Sequence, residues 1–199
     1  VDVVEAISGL REGVYEDDRP PGRLENALWS VYEEDNPWER SASDRDAWLE
    51  QVQEEVEVQV GGEADVLFYV GCSPSYDPAL QDIPAAIVRL LDATDVDFAV
   101  LGDQEDCCGD VVKQTGEVEF FAEIANRNAE RFAETGASTV VTTSPHCMEV
   151  FDQEYDLDAE VLHYTEFLLE LVEEGSLELG ERDETVTYHD PCYLSRGAG

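Results

Sequence analysis

The sequence predicts an α/β fold: a doubly wound, mainly parallel sheet behind a helical N-terminal segment. Two observations carry the prediction. From residue 64 onward, short runs rich in Val, Phe and Tyr alternate with segments of helical spacing. Those segments have helical spacing, as in Phe121, Ile124, Ala125 and Asn128, and two of them stop near a glycine. Alternation of this kind implies right-handed βαβ crossovers and a sheet covered on both faces.

Taken in order, residues 1–62 read as a helical linker segment. "VVEAISGL" is followed by the breaker "RPPG" at 19–22, and "RLENALWSVYEE" sets Leu24, Leu28, Trp29 and Tyr32 near one face. "NPW" at 36–38 is a turn. Ser43 is placed to cap a helix running through Trp48 and Val52. Trp29, Trp38 and Trp48 are expected to anchor the segment on the domain after it. "EVEVQVGG" alternates Val56, Val58 and Val60 and reads as an edge strand. Residues 63–190 then supply five strand candidates: "ADVLFYVG", "VDFAVLG", "STVVTT", "AEVLHY" and "ETVTYHD". Between them lie four helical segments beginning at Asp77, Val112, His146 and Thr165.

The chain has 199 residues, of which 43% are apolar, enough for a core. Its 48 acidic residues against 11 basic ones give a formal charge of −37. Polyphosphate would be repelled, so nucleic acid is excluded as a direct partner. The acids are spread over the whole length and apolar runs persist between them, which argues against a disordered tail. A carboxylate-covered surface with a single lysine, Lys113, resembles proteins of salt-loving organisms, where molar salt screens charge over about 3 Å. No run of 18 apolar residues marks a membrane span and no signal peptide is visible. The chain starts without Met and stops just after Cys192, as expected of a piece of a longer protein.

Five cysteines, Cys72, Cys107, Cys108, Cys147 and Cys192, form no secreted-type disulfide framework. Each follows a predicted strand, and in a parallel sheet all carboxyl ends share one edge, where ligands bind. Positions spread over 120 residues thereby converge on one rim. Cys147 and the stretch after Gly109 also stand near helix N-termini, which favour thiolates. Three or four thiolates suit tetrahedral zinc. They suit an iron–sulfur cluster equally, and the adjacent Cys107–Cys108 pair favours the larger object, since neighbours more easily ligate different irons. G-x-G-x-x-G is absent, so nucleotide binding is not indicated.

"VGCSPSYDP", "LGDQEDCCGD", "TTSPHCMEVFDQEY" and "VTYHDPCYLSRGAG" together resemble the cysteine-rich CCG domain of heterodisulfide-reductase-type iron–sulfur oxidoreductases, relatives of glycolate oxidase and lactate-utilisation iron–sulfur subunits. The family pattern is Cys, 30 to 40 residues, Cys-Cys-Gly, a similar interval, then Cys-x-x-Cys. Here 34 residues separate Cys72 from Cys107, and 38 separate Cys108 from Cys147. The first position of Cys-x-x-Cys is Ser144, so the five-thiolate arrangement of some relatives lacks a ligand here.

The resemblance implies a flavodoxin-like or Rossmann-like domain holding a 4Fe-4S-type cluster on Cys72, Cys107, Cys108 and Cys147, with Cys192 as a further candidate; zinc is the alternative, in a structural module. His146 and His189 are candidates for tuning the centre from outside its ligand shell, whereas His163 reads as a satisfied strand-end residue. Residues 191–199 look like the start of a second CCG repeat. The implied role is electron transfer in an oxidoreductase alongside a ferredoxin-like module and a flavoprotein or quinone-linked partner. The expected location is cytoplasmic, or the cytoplasmic membrane face reached through other regions or partners.

Overall fold

A computed structural model describes residues 3–17 and 22–194. Most of the expected "RPPG" breaker and the end of the expected second repeat, 195–199, lie outside the described residues. Two helices, α1 (Val3–Glu16) and α2 (Gly22–Glu34), lead into 3-10 turns at Ala42–Asp44 and Ala47–Gln51. The sheet contains β1 (Gln59–Val60), β2 (Val66–Tyr69), β3 (Phe98–Val100), β4 (Thr139–Thr142) and β5 (Glu160–His163). Its order is β1-β3-β2-β4-β5 and every pairing is parallel. Helices α3 (Cys72–Tyr76) and α4 (Asp82–Ala93) join β2 to β3. Helices α5 (Asp110–Thr115) and α6 (Val118–Glu134) join β3 to β4, α7 (Pro145–Glu154) joins β4 to β5, and α8 (Tyr164–Glu173) follows β5.

Alternation along β2 divides the core. Leu67 and Tyr69 face a cluster with Val31, Val112, Ile124, Phe132, Val150 and Phe151, from α2, α5, α6 and α7. Val66, Phe68 and Val70 face the other side, against Trp48, Val52, Val88, Leu91, Phe167 and Leu171. Both faces are thus covered, as a parallel sheet requires. The chain leaves β2 for β3 on one side, then crosses back over β2 to β4 on the other. This reversal of winding makes the carboxyl end of β2 a topological switch point.

Four expectations need correction. "ETVTYHD" forms no strand: residues 178–190 have no regular structure and are exposed, because nothing among the described residues lies beside them to complete a ladder. The helical stretch from Val112 breaks at Gly116, where φ is +93°, into α5 and α6. Ser43 caps no α-helix; it lies inside a 3-10 turn, where its hydroxyl meets that of Ser41 at 3.0 Å. Of the three tryptophans only Trp48 is an anchor, at 1% exposure. Trp29 and Trp38 remain 54% and 42% exposed, since the buried stripe of α2 is centred on Val31. The Val56–Val60 alternation does yield the edge strand, shortened to Gln59–Val60.

Candidate metal centre

Strand β2 ends at Tyr69, and two residues later Gly71 turns the chain at φ +87°, placing Cys72 at the first position of α3. A Cβ added to Gly71 would stand 3.9 Å from both the Cys147 Sγ and the Ser144 Cβ, so a side chain here would enter the space between the β2 and β4 loops. After β3, residues 105–108 run buried across the strand ends to Gly109. Gly109 has φ +81°, and a Cβ on it would meet the Phe121 Cδ2 at 2.9 Å and the Ile124 Cγ2 at 3.2 Å. Glycine in Cys-Cys-Gly therefore serves two purposes: a left-handed backbone and close approach of α6. Its N–H donates to the Cys107 Sγ at 3.4 Å. After β4, Ser144 caps α7, its Oγ accepting the Cys147 N–H at 3.4 Å, and this cap sets Cys147 in the first turn.

The four side chains meet. Thiol contacts run from Cys72 to Cys107, from Cys107 to Cys108 and from Cys108 to Cys147. Cys107, Cys108 and Cys147 are buried, whereas Cys72 is partly exposed. Contact with Cys107, followed by burial, pushes the Cys72 thiol well above its ordinary range, against the pull of Arg45. Contact with Cys108 is the leading influence raising Cys107. For Cys108 the Cys107 contact pulls down, but Cys147 and burial prevail. With Cys72, Cys107 and Cys108 all raised, these three thiols ionise together only where positive charge joins them. A metal centre is what displaces such protons, so the donor set fits one. Among the described residues, no three His, Cys, Asp or Glu side chains are arranged to hold a single metal ion. The sulfurs instead follow one another in a row, with two supplied by adjacent residues.

A polar frame fixes the loops. The buried Glu105 carboxylate accepts the Val70 N–H at 2.7 Å, the Gly71 N–H at 2.9 Å and the Arg45 Nη1 at 2.9 Å. Burial raises the Glu105 carboxyl while Arg45 and the two amides pull against it. Arg45 is 1% exposed and its Nη2 donates to the Cys72 Sγ and the Asp35 carbonyl, both at 3.2 Å. Burial works against the charge of Arg45, but Cys72 and Glu105 more than offset it and raise the guanidinium further above its ordinary value. Removing one partner of so buried a pair costs about 3–5 kcal/mol. The Asp35 carbonyl also accepts the Cys107 N–H at 2.8 Å. Beneath the loop, Asn128 donates to the Cys107 carbonyl at 2.9 Å and to the Tyr155 hydroxyl at 3.0 Å, and Tyr155 donates on to the Cys108 carbonyl at 2.9 Å. The Tyr69 hydroxyl holds the Asp106 carbonyl at 2.6 Å, while the Asp106 carboxylate pairs with Arg127 and Arg131.

The other candidates stand apart. Cys192 is exposed, and His189 is exposed on the segment without regular structure, so neither joins the four sulfurs. His146 is also exposed; its ring faces Tyr193 at a centroid distance of 3.9 Å. His163 is buried, its ring nitrogens meeting the Thr165 hydroxyl at 2.7 Å and the Thr143 carbonyl at 3.1 Å, a satisfied strand-end residue as expected. Sequence reasoning missed Arg45, Glu105 and Tyr155. One available signal was the scarcity of cations: 11 basic residues in so acidic a chain make each of them a candidate for a specific partner.

Residues 66–152 match the family described as CCG, the cysteine-rich domain. A probable iron–sulfur-binding oxidoreductase, FadF, of Bacillus subtilis is 34% identical over 94% of this chain and 27% of its own length. The EtfAB:quinone oxidoreductase of Syntrophomonas wolfei is 34% identical over 90% of this chain and 26% of its own. A subunit of the dihydromethanophenazine:CoB–CoM heterodisulfide reductase of Methanosarcina barkeri is 30% identical over 82% of this chain and 41% of its own. The chain thus spans between about a quarter and two fifths of the length of these relatives. No solved structure matches it.

Proposed function

We propose, from the match of residues 66–152 to the CCG cysteine-rich domain family, that this chain is the iron–sulfur electron-transfer domain of a heterodisulfide-reductase-like oxidoreductase. Cys72, Cys107, Cys108 and Cys147 hold the cluster at the carboxyl edge of the sheet. The observation that supports this is the row of four thiols drawn from three strand ends around the switch point of the sheet. A bound cluster supplies one-electron transfer. The protein's own groups hold the ligands in place: Glu105 clamps the β2 exit, Asn128 and Tyr155 fix the Cys107 and Cys108 carbonyls, and the Ser144 cap orients Cys147. Burial of three of the four sulfurs keeps water and oxygen from most of the site.

The same reading divides the chain into a helical segment at 1–62, the CCG domain at 63–190 and the beginning of a second repeat at 191–199. Its partners are redox subunits or domains: a ferredoxin-like module and a flavoprotein or quinone-linked protein. No helix among the described residues is long and apolar enough to cross a membrane. The proposed location is the cytoplasm, or the cytoplasmic membrane face through such partners. Anaerobic reconstitution followed by iron, sulfide and zinc analysis tests the reading. Iron and sulfide with absorbance near 400 nm are expected; stoichiometric zinc without sulfide would overturn it.

A further inference from the structure

We infer that Arg45 is a positioning residue of the metal centre, holding the Cys72 sulfur and setting the reduction potential of the bound cluster from within the segment that precedes the sheet. The inference rests on the reading of the four cysteines as ligands. Arg45 comes from the 3-10 region before the sheet, outside the part of the chain that matches the CCG family, 66–152. It is nonetheless as buried as the core, and its guanidinium joins Glu105 to the Cys72 sulfur while Nη2 also donates to the Asp35 carbonyl. Nη1 meets Glu105, whose carboxylate holds the Val70 and Gly71 amides immediately before Cys72. Nη2 donates to the Cys72 sulfur itself. The ring of Tyr76, one turn of α3 beyond Cys72, closes the pocket, with the guanidinium carbon over its face 5.4 Å from the centroid.

A second observation points the same way: the Arg45 Nε is buried and has no hydrogen-bond partner among the described residues. An unpartnered N–H on a buried cation is costly unless an acceptor arrives, and the thiolates and sulfides of a cluster are acceptors. Glu105 alone would satisfy a purely structural strut. The donation to Cys72 and the waiting Nε are what a strut does not need. Electrostatics then fixes the sign of the effect. One-electron reduction makes a thiolate-ligated cluster more negative by one charge, and a cation in contact with its ligand stabilises the reduced state more than the oxidised one. Glu105, one step further from the sulfur, acts in the opposite sense.

The test is a redox titration of the anaerobically reconstituted protein, with dithionite as reductant and paramagnetic resonance as readout. The parent is compared with Arg45→Gln, Arg45→Lys, Glu105→Gln and the double variant Arg45→Gln/Glu105→Gln, each also assayed for iron and sulfide. The midpoint is expected to move negative in Arg45→Gln and positive in Glu105→Gln. Arg45→Lys should recover part of the potential, because it restores the charge but not the fork. The double variant, free of a buried unpaired charge, should load and sit between Arg45→Gln and the parent. If Arg45→Gln does not load, the double variant and Arg45→Lys decide the matter. Loaded variants with the potential and spectrum of the parent would overturn the inference, as would shifts of the same sign in Arg45→Gln and Glu105→Gln. A parent that binds no iron or sulfide would instead be a failure of the cluster reading itself.

Discussion

Replacing Gly109 by Ala tests why a glycine must follow the two cysteines. The residue sits at φ +81°, where an L side chain costs about 1–2 kcal/mol relative to glycine. A methyl group there would also press on the Phe121 ring at 2.9 Å and 3.2 Å and on the Ile124 Cγ2 at 3.2 Å. Both neighbours are buried in α6 and cannot swing away, so overpacking adds about 1–3 kcal/mol. The sum is a loss of about 2–5 kcal/mol. Gly136→Ala is the internal control, for Gly136 has φ +64° but nothing within 4 Å of an added Cβ. Its cost is the backbone part alone, about 1–2 kcal/mol, and the stiffer unfolded chain offsets both variants alike by about 0.4–1 kcal/mol. Urea unfolding in molar KCl reads both as changes of midpoint at constant slope. Equal losses in the two variants would refute the claim that Gly109 is there for close approach of α6 to the cysteine loop.

Three further outcomes are expected. The charge of −37 should make folding salt-dependent, with a melting temperature that rises from dilute buffer to molar KCl; an unchanged value would count against the screened-carboxylate account. Ser144→Cys should raise iron content or slow cluster loss in air, because Ser144 stands beside Cys147 and Gly71, while loss of the N-cap costs about 1 kcal/mol in thermal stability; a parent-like metal content and spectrum would mean that this side chain does not reach the centre. Burial lowers the pKa of His163 from its ordinary 6.5, against the Thr143 and Glu166 contacts, so the unfolded chain binds the proton more readily and the contribution of His163 is full above 6.5 and lost as pH falls through the lower folded value. The stability gap between the parent and His163→Gln should therefore shrink between pH 7.5 and pH 5, and a gap that widens would contradict the assignment.

The strands that carry the cysteines were legible because each is a short, largely buried run such as Val66–Tyr69, bounded by turn residues and followed by helical spacing. Once the sheet is parallel, the edge reached by Cys72, Cys107, Cys108 and Cys147 follows from connectivity alone. The segment around "ETVTYHD" has the same local composition as a strand, yet Val186 and Tyr188 are 82% and 75% exposed, since pairing is decided by a neighbour and not by propensity. The helical face of α2 was placed one residue off: Trp29 and Tyr32 look like core by hydrophobicity, but Val31 faces the sheet. Arg45 and Glu105 were illegible for a different reason. In a chain with 48 acidic residues, nothing in the stretch "DQEDCC" distinguishes Glu105 as the one that meets Arg45, because its partner lies 60 residues away.

Serine substitution of each cysteine in turn, followed by anaerobic reconstitution and iron and sulfide analysis, addresses the central claim most directly. A missing thiolate leaves an iron short of a ligand, so Cys72→Ser, Cys107→Ser, Cys108→Ser and Cys147→Ser should each lose the cluster or hold it only transiently, whereas Cys192→Ser, altering an exposed residue apart from the row, should match the parent. Full iron and sulfide in any of the first four, or loss confined to Cys192→Ser, would contradict the placement of the centre on the rim formed by β2, β3 and β4.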